Sequence, residues 1–277
     1  MARPTPLYGK DVNQPVALAA WMVLASGAGA TNAIAFLACA RFVTHVTGVA
    51  TVIGTDAADL EHALDYSLVL AAFIGGAFTS EFVLGSGPIR KGIGRALWIV
   101  ASVLALVAVL GMLGGFDAFG SQFDDPRTFL FLGALAFAMG LQNGAVATAT
   151  GGRVRTTHMT GPATDLGVGL ARMLSPSHKE RYAARQLVAL RGIKLSGFIA
   201  GAGLGALLVS RGGGYLALLF PAALCFGIGL LIAHAPTPIG GSKKIRPVEK
   251  IPTSQSLRSR TETCAHAQSS NTISSAP

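Results

Sequence analysis

Hydrophobic positions in this chain fall in long runs separated by short polar or glycine-rich segments. Three runs without a charged residue cover positions 16–40, 96–116 and 128–152. Shorter runs lie at 66–80, continuing past Glu81 to position 87, and at 195–210 and 212–233. About 20 apolar residues in a helix cross a hydrocarbon core of roughly 30 Å. The pattern therefore predicts an all-α membrane protein with six transmembrane helices.

The first of these runs begins close to the N-terminus, where a secretory signal would also lie. It is 25 residues long, whereas the apolar part of a signal peptide has roughly 7–15 residues. We therefore expect a retained span. The composition of the whole chain agrees with a membrane protein, because 51% of the residues are hydrophobic and only 13% are charged.

Lysine and arginine are unequally divided between the two sides that six spans define. One side, formed by the N-terminus, the 87–95 loop, the 153–194 connection and the tail, carries nineteen of them. The other side carries only Arg41, Arg127 and Arg211. Cytoplasmic loops are the basic ones, which predicts that both termini are cytoplasmic. The net charge of +9 then reflects membrane anchoring and does not require a nucleic-acid partner.

A polar motif occurs twice, as VTHVTGVATVIG at 43–54 and as TTHMTGPATDLG at 156–167. With an offset of 113, seven of the eleven positions 44–54 are identical in the second copy. The preceding runs share a G-x-x-N pattern, and the following runs share AFIGGA at 72–77 and GFIAGA at 197–202. Each half is thus a span, the motif and two further spans.

An odd number of spans per half predicts that the halves, 16–120 and 121–235, have opposite orientations in the membrane. Inverted-topology repeats are typical of secondary transporters, which bind substrate at the repeat interface. The remaining segments are a cytoplasmic N-terminal segment, 1–15, and a basic tail, 236–277. The tail is rich in Pro, Ser, Thr and Lys, which predicts disorder.

The repeated motif is too short to cross a membrane and is expected to form an interfacial loop or a short half-helix. Thr47 and Thr160 are suitable helix starts, and Pro162 fits a first turn. Two helix N-termini from opposite sides could hold one polar or anionic ligand. His45 and His158 precede these starts, and either they carry protons, with Asp165 as a second candidate, or they only orient the loop.

Amide side chains and small residues offer two further interpretations. Asn32, Gln142 and Asn143 bring amides into apolar spans, where they either bind a substrate or connect helices. The glycines at four-residue spacing are expected to be helix-packing positions. The candidate substrate- or ion-binding residues are His45, Thr47, Gly48, His158, Thr160, Gly161, Asn32, Gln142, Asn143 and Asp165.

Other chemistry is not supported by the sequence. The acidic segment 56–65 is expected to be a solvated face, so no metal site is predicted. Three cysteines lie far apart, and neither a nucleotide-binding loop nor a nucleophile or metal set of an enzyme is present. We therefore expect neither an enzyme nor a bound cofactor.

The segments GATNAIAF at 29–36, GLQNGAV at 140–146 and the two T-H-x-T-G motifs resemble the YoaK-like bacterial membrane proteins. The resemblance covers roughly residues 16–235 and implies a small-molecule metabolite transporter in a bacterial inner membrane. Members of that family usually have aspartate where this chain has Asn32, and asparagine where it has Val49. If the family aspartate carries a proton or cation, coupling in this chain would fall to His45, His158 or Asp165.

The function predicted from the sequence is secondary transport of a small polar metabolite by alternating access. The expected partners are that solute and the lipid bilayer, and an oligomer is compatible with the sequence. The alternative is a membrane scaffold or lipid-binding protein without transport, in which the repeated motifs only build a tight fold.

Overall fold

The computed structural model describes residues 12–56, 58–85, 87–121 and 126–234, which form helices joined by short loops. In chain order the helices are α1 Pro15–Cys39, α2 Val46–Thr55, α3 Leu60–Leu84, α4 Ile89–Met112, α5 Pro126–Ala149, α6 Thr160–Arg172, α7 His178–Leu208 and α8 Leu219–His234. These ranges contain no strand, which confirms the predicted all-α class. The predicted disordered tail and residues 1–11 lie outside the described residues.

Five helical segments of the described chain are long and apolar enough to cross a membrane. Four are α1, α3, α4 and α5, and the fifth runs over 57 residues from His178 to His234. This fifth segment contains the last two predicted spans. At Gly212 the backbone leaves helical geometry with a φ of 85°, within a π turn that precedes the 3₁₀ turn Gly214–Leu218. Because one straight helix of this length would extend about 85 Å, we describe α7 and α8 as separate helices.

Local capping sets several helix boundaries away from the predicted ones. Asp59 accepts a hydrogen bond from the backbone N–H of His62, so α3 starts at Leu60 instead of position 66. Ser177 likewise accepts from the backbone N–H of Glu180, and α7 therefore starts at His178, well before position 195. The predicted 153–194 connection is consequently mostly helical, because it contains α6 and the first half of α7.

The outer faces of the helices are apolar. On α3, Leu68, Ile74, Phe78 and Phe82 are each 59–69% exposed. Soluble monomers rarely show such large continuous apolar surfaces, whereas lipid covers them in a membrane protein. Together with the long apolar helices, this surface fits a multi-pass membrane protein.

The closest helix packing joins the two halves of the sequence. α3 packs along α5, α7 packs along α1, and α4 packs along α8. A Cβ atom added to Gly29 on α1 would overlap the carbonyl oxygen of Phe198 on α7, and one added to Gly140 on α5 would overlap the carbonyl oxygen of Phe73 on α3. These four residues are matched by the repeat, so the same contact is made twice.

A second matched pair of contacts lies about one helical turn away. A Cβ atom on Gly76 of α3 would overlap the carbonyl oxygen of Phe137, and one on Gly201 of α7 would overlap the carbonyl oxygen of Ser26. Only glycine permits the backbones to approach this closely. The prediction that these glycines are packing positions is confirmed.

Candidate binding cavity

One cavity brings together the beginnings of the two short helices, α2 and α6. Its volume is about 660 Å³, and residues from α1, α3, α5 and α7 complete its wall. α2 has 10 residues and α6 has 13, so they extend only about 15 and 20 Å and neither could cross a bilayer. The predicted site residues that line the cavity are Asn32, His45, Thr47, Asn143, His158 and Thr160.

The two asparagines hold the loops that lead into the short helices. Asn32 Oδ1 accepts hydrogen bonds from the backbone N–H of Val43, at 3.1 Å, and from both the backbone N–H and the hydroxyl of Thr44, at 3.1 and 2.9 Å. In the second half, Asn143 Oδ1 accepts from the backbone N–H of Thr157 at 3.4 Å. Each asparagine thus fixes the loop just before its motif histidine.

Each histidine lies against a glycine in the first turn of its own short helix. A Cβ atom on Gly48 would lie 2.6 Å from His45 Nδ1, and one on Gly161 would lie 2.9 Å from His158 Cε1. The two predicted glycines therefore leave room for the imidazole rings and are not part of the cavity wall. The side chain of His45 makes no capping hydrogen bond to α2, although His45 occupies the capping position.

The electrostatic surroundings of His158 keep its ring neutral. Burial lowers the pKa of His158 below its usual 6.5, and the positive charges of Arg155, Lys194 and Arg191 lower it further. Both the partial loss of water and the neighbouring cations disfavour a second positive charge there. At neutral pH, His158 therefore offers one nitrogen donor and one nitrogen acceptor.

The first turns of α2 and α6 also present backbone groups. Neither helix has a side-chain hydrogen bond at its N-cap, and Val46, Thr47 and Thr160 line the cavity. The first N–H groups of a helix have no partner within the helix and carry a partial positive charge. The predicted helix start at Thr160 is confirmed, and α2 begins one residue before the predicted Thr47.

Two predicted site residues lie outside the cavity wall and have protein partners. Gln142 is fully buried, and its Nε2 donates to the carbonyl oxygen of Leu24 and to the Thr156 hydroxyl, at 3.2 and 2.9 Å. Its Oε1 accepts from the Cys225 thiol. Gln142 thus links α5 to α1, to the following loop and to α8. Asp165 on α6 forms an ion pair of 3.0 Å with Arg191 on α7.

Sequence reasoning missed several residues of the cavity wall. Phe73 and Phe198 face it from α3 and α7, and Thr44, Thr157 and Arg155 contribute from the loops. Both phenylalanines belong to the matched AFIGGA and GFIAGA segments, which were interpreted only as packing motifs. In the sequence, Arg155 is only one of the basic residues that predict the orientation of the chain in the membrane. The signal for the aromatic pair was present in the repeat, whereas nothing local distinguished Arg155 from the other loop arginines.

A family model described as "Protein of unknown function (DUF1275)" matches residues 20–231. This match runs from within α1 to within α8 and covers the helices between them completely, and the chain belongs to this family. No curated protein and no solved structure matches the chain.

Proposed function

We propose that this member of the DUF1275 family is a secondary transporter that moves a small polar metabolite across the membrane by alternating access. The observation that carries the proposal is the single cavity lined by matched residues of both halves. Asn32 and Asn143, His45 and His158, and Phe73 and Phe198 all contribute to it. A scaffold needs tight packing but has no need for a polar cavity between its halves.

An inverted repeat gives this cavity its proposed mode of operation. If α7 and α8 cross the membrane separately, each half has three spans, and the second half enters from the opposite side. The first motif would then approach the cavity from the outer face and the second from the cytoplasmic face. Such sites at the interface of inverted repeats are opened to one side at a time when the two repeats rock against each other.

The chemistry of the cavity suits a small polar solute. Two uncapped helix N-termini, two asparagine side chains and two histidines provide directional hydrogen-bonding groups, and two phenylalanines supply apolar contact. Small-molecule sites combine a mostly apolar wall with a few placed polar groups in this way. A volume of about 660 Å³ also falls within the usual range for such sites.

A non-transporting lipid-binding protein is the second candidate. A groove of about 560 Å³ between α3 and α4 is lined almost entirely by apolar side chains, with Arg95 at one end and Trp98 beside it. An acyl chain with an anionic headgroup would fit this chemistry. The groove and the central cavity share no lining residue, so variants can separate the two functions.

Sided labelling of single cysteines tests alternating access. In a background with all three native cysteines replaced by serine, Thr47→Cys and Thr160→Cys place a thiol on each side of the cavity. We expect a membrane-impermeant maleimide to react with both Thr47→Cys and Thr160→Cys in right-side-out and in inside-out vesicles, because the one cavity that both line opens to each face in turn. Equal reaction of both positions from one face only would contradict the proposal.

Matched controls exist one turn further along each short helix. Thr51→Cys and Thr164→Cys are equally related by the repeat and exposed, but they do not line the cavity. A metabolite library is screened for a solute that raises the unfolding temperature of the detergent-solubilised protein. Such a solute should slow labelling at Thr47→Cys and Thr160→Cys and leave labelling of these controls unchanged. Absence of any such solute, with a stable partner protein co-purifying, would favour the scaffold.

A further inference from the structure

Three basic side chains gather at the second histidine. Arg155 precedes α6 and lines the cavity, while Arg191 and Lys194 lie one turn apart on α7. All three act electrostatically on His158. Arg191 and Lys194 are not part of the cavity wall, but together with Arg155 they make the surroundings of His158 positive.

Lys194 is the most unusual member of this group. Its side chain is fully buried, with 0% exposed surface, and its Nζ has no hydrogen-bond partner among the described residues. An ammonium group removed from water without a partner is strongly destabilising. Ionisable groups at such depth in a membrane protein are usually functional.

The acidic side chains nearby do not balance these cations. Asp165 is the carboxylate that acts on Lys194, and its Oδ2 is already paired with the Arg191 guanidinium at 3.0 Å. Arg155 forms no hydrogen bond or ion pair within the described part of the chain. Neither Arg155 nor Lys194 therefore has an ion-pair partner of its own among the described residues.

The N-terminus of α6 adds to the same field. Thr160, its first residue, lines the cavity beside Arg155, and no side chain caps the helix. The free N–H groups of a first helical turn bind anions readily. The cationic side chains and the helix N-terminus thus act together on one side of the cavity.

We infer that Arg155 and the first turn of α6 bind the phosphate or carboxylate group of a small soluble anion, and that the positive charge of the buried Lys194 strengthens this binding. A guanidinium group and backbone N–H groups recognise both anion types by charge-assisted hydrogen bonds. The identification of that anion with the transported solute rests on the proposed function. The less polar part of the solute would then lie toward Phe42 and Phe73, on the side of the cavity that carries no such cations.

The test measures anion-dependent stability of the full-length protein in a neutral detergent. Inorganic phosphate and acetate are titrated separately, with chloride at equal ionic strength as the reference. We expect the unfolding temperature to rise saturably with at least one of the two anions and not with chloride. Arg155→Gln, in an exposed loop, should raise the apparent Kd about tenfold or more.

Lys194→Met gives a second, independent readout. Methionine has a similar length without the charge, so it should weaken the anion-dependent shift and raise the unfolding temperature in the absence of anion. A fall of that temperature would indicate a structural partner for the ammonium group and would contradict the inference. The control variants are Arg153→Gln in the same loop and Lys179→Gln on the same helix, both exposed and outside the cavity wall.

Three outcomes would overturn the inference. One is equal stabilisation by chloride, and another is equal weakening of anion binding in the Arg153→Gln and Lys179→Gln controls. The third would be seen in nanodiscs, if the unfolding temperature were higher in phosphatidylglycerol than in phosphatidylcholine while phosphate and acetate had no effect. That result would assign this site to a lipid phosphate.

Failure of the inference can be told apart from failure of the proposed function. If anion binding requires Arg155 and Lys194 but proteoliposomes accumulate no solute, the inference holds and transport is wrong. If proteoliposomes accumulate a solute equally well with Arg155→Gln and no anion binds, transport holds and the inference is overturned.

Discussion

The two halves of the sequence have the same framework around the cavity and different charges. At four positions related by the repeat, the first half has Phe42, Val52, Tyr66 and Val69, whereas the second half has Arg155, Asp165, Arg191 and Lys194. The glycines and asparagines that position the helices are retained in both halves. The matched residues thus account for the shape of the cavity, whereas the residues that differ between the halves account for the charge around it.

The largest expected effect concerns the shared framework. Gly29→Ala and Gly140→Ala each place a methyl group into a backbone carbonyl oxygen of the facing helix, so the helices must separate. We expect each variant to lower the free energy of unfolding by about 3 kcal/mol, the upper part of the range for overpacking. Thermal unfolding in detergent measures this change.

The control for these variants is Gly203→Ala on α7, where an added Cβ atom would meet open space. This change should leave stability unaltered or improve it by about 0.5–1 kcal/mol, because alanine favours a helix. If Gly140→Ala were as well tolerated as Gly203→Ala, the close approach of α5 to α3 would be wrong.

A smaller effect is expected at the two asparagines, and here the halves should differ. Asn32 Oδ1 accepts three hydrogen bonds, whereas Asn143 Oδ1 accepts one from Thr157. Asn32→Ala should cost about 2 kcal/mol of unfolding free energy and Asn143→Ala about 1 kcal/mol, because each leaves backbone donors without their acceptor. Unfolding temperatures of the two variants provide the comparison, and equal losses would contradict it.

The same geometry predicts the effect of an aspartate in place of Asn32. All three groups that bond Asn32 Oδ1 are donors, so a carboxylate oxygen could accept the same bonds. Asn32→Asp should therefore keep the fold, unlike Asn32→Leu. Loss of folding in both variants would show that the Nδ2 amino group is also required.

How much of this structure could be predicted depended on the kind of signal. The long apolar runs predicted the main helices, because an uninterrupted run of about 20 apolar residues is long enough to cross a membrane as a helix. The charged beginning of α7 was mistaken for a connection. Its start was readable in the sequence, since Ser177 and Glu180 have the spacing of a capping box.

The cavity itself was only partly predictable. The repeat singled out His45 and His158. Both line one cavity because α3 packs along α5 and α7 packs along α1, and no local pattern in the sequence predicts this packing. The sequence predicts that Lys194 lies in a charged connection, because its burial depends on the same long-range helix packing. Long-range packing, and not local propensity, decided which polar residues meet.

The smallest expected effect concerns the protonation of His158. Because the folded-state pKa of His158 lies below 6.5, the unfolded chain binds a proton there more readily. The stability contributed by this group is complete above the unfolded-state pKa of 6.5 and is lost as the pH falls below that value and through the lower folded-state pKa. We expect histidine NMR titration to place His158 below 6.5, and Arg155→Gln to raise its pKa. An unchanged pKa in this variant would contradict the cationic surroundings.

The central claim is that the two motifs line one cavity, and mutual blocking of two thiols tests it most directly. In the Thr47→Cys/Thr160→Cys double variant, once one of the two thiols has reacted with a bulky maleimide, the other should react at least about tenfold more slowly. The reason is that one cavity of about 660 Å³ cannot hold two adducts freely. The Thr51→Cys/Thr160→Cys variant should show no such slowing. Independent labelling of Thr47→Cys and Thr160→Cys would contradict the shared cavity.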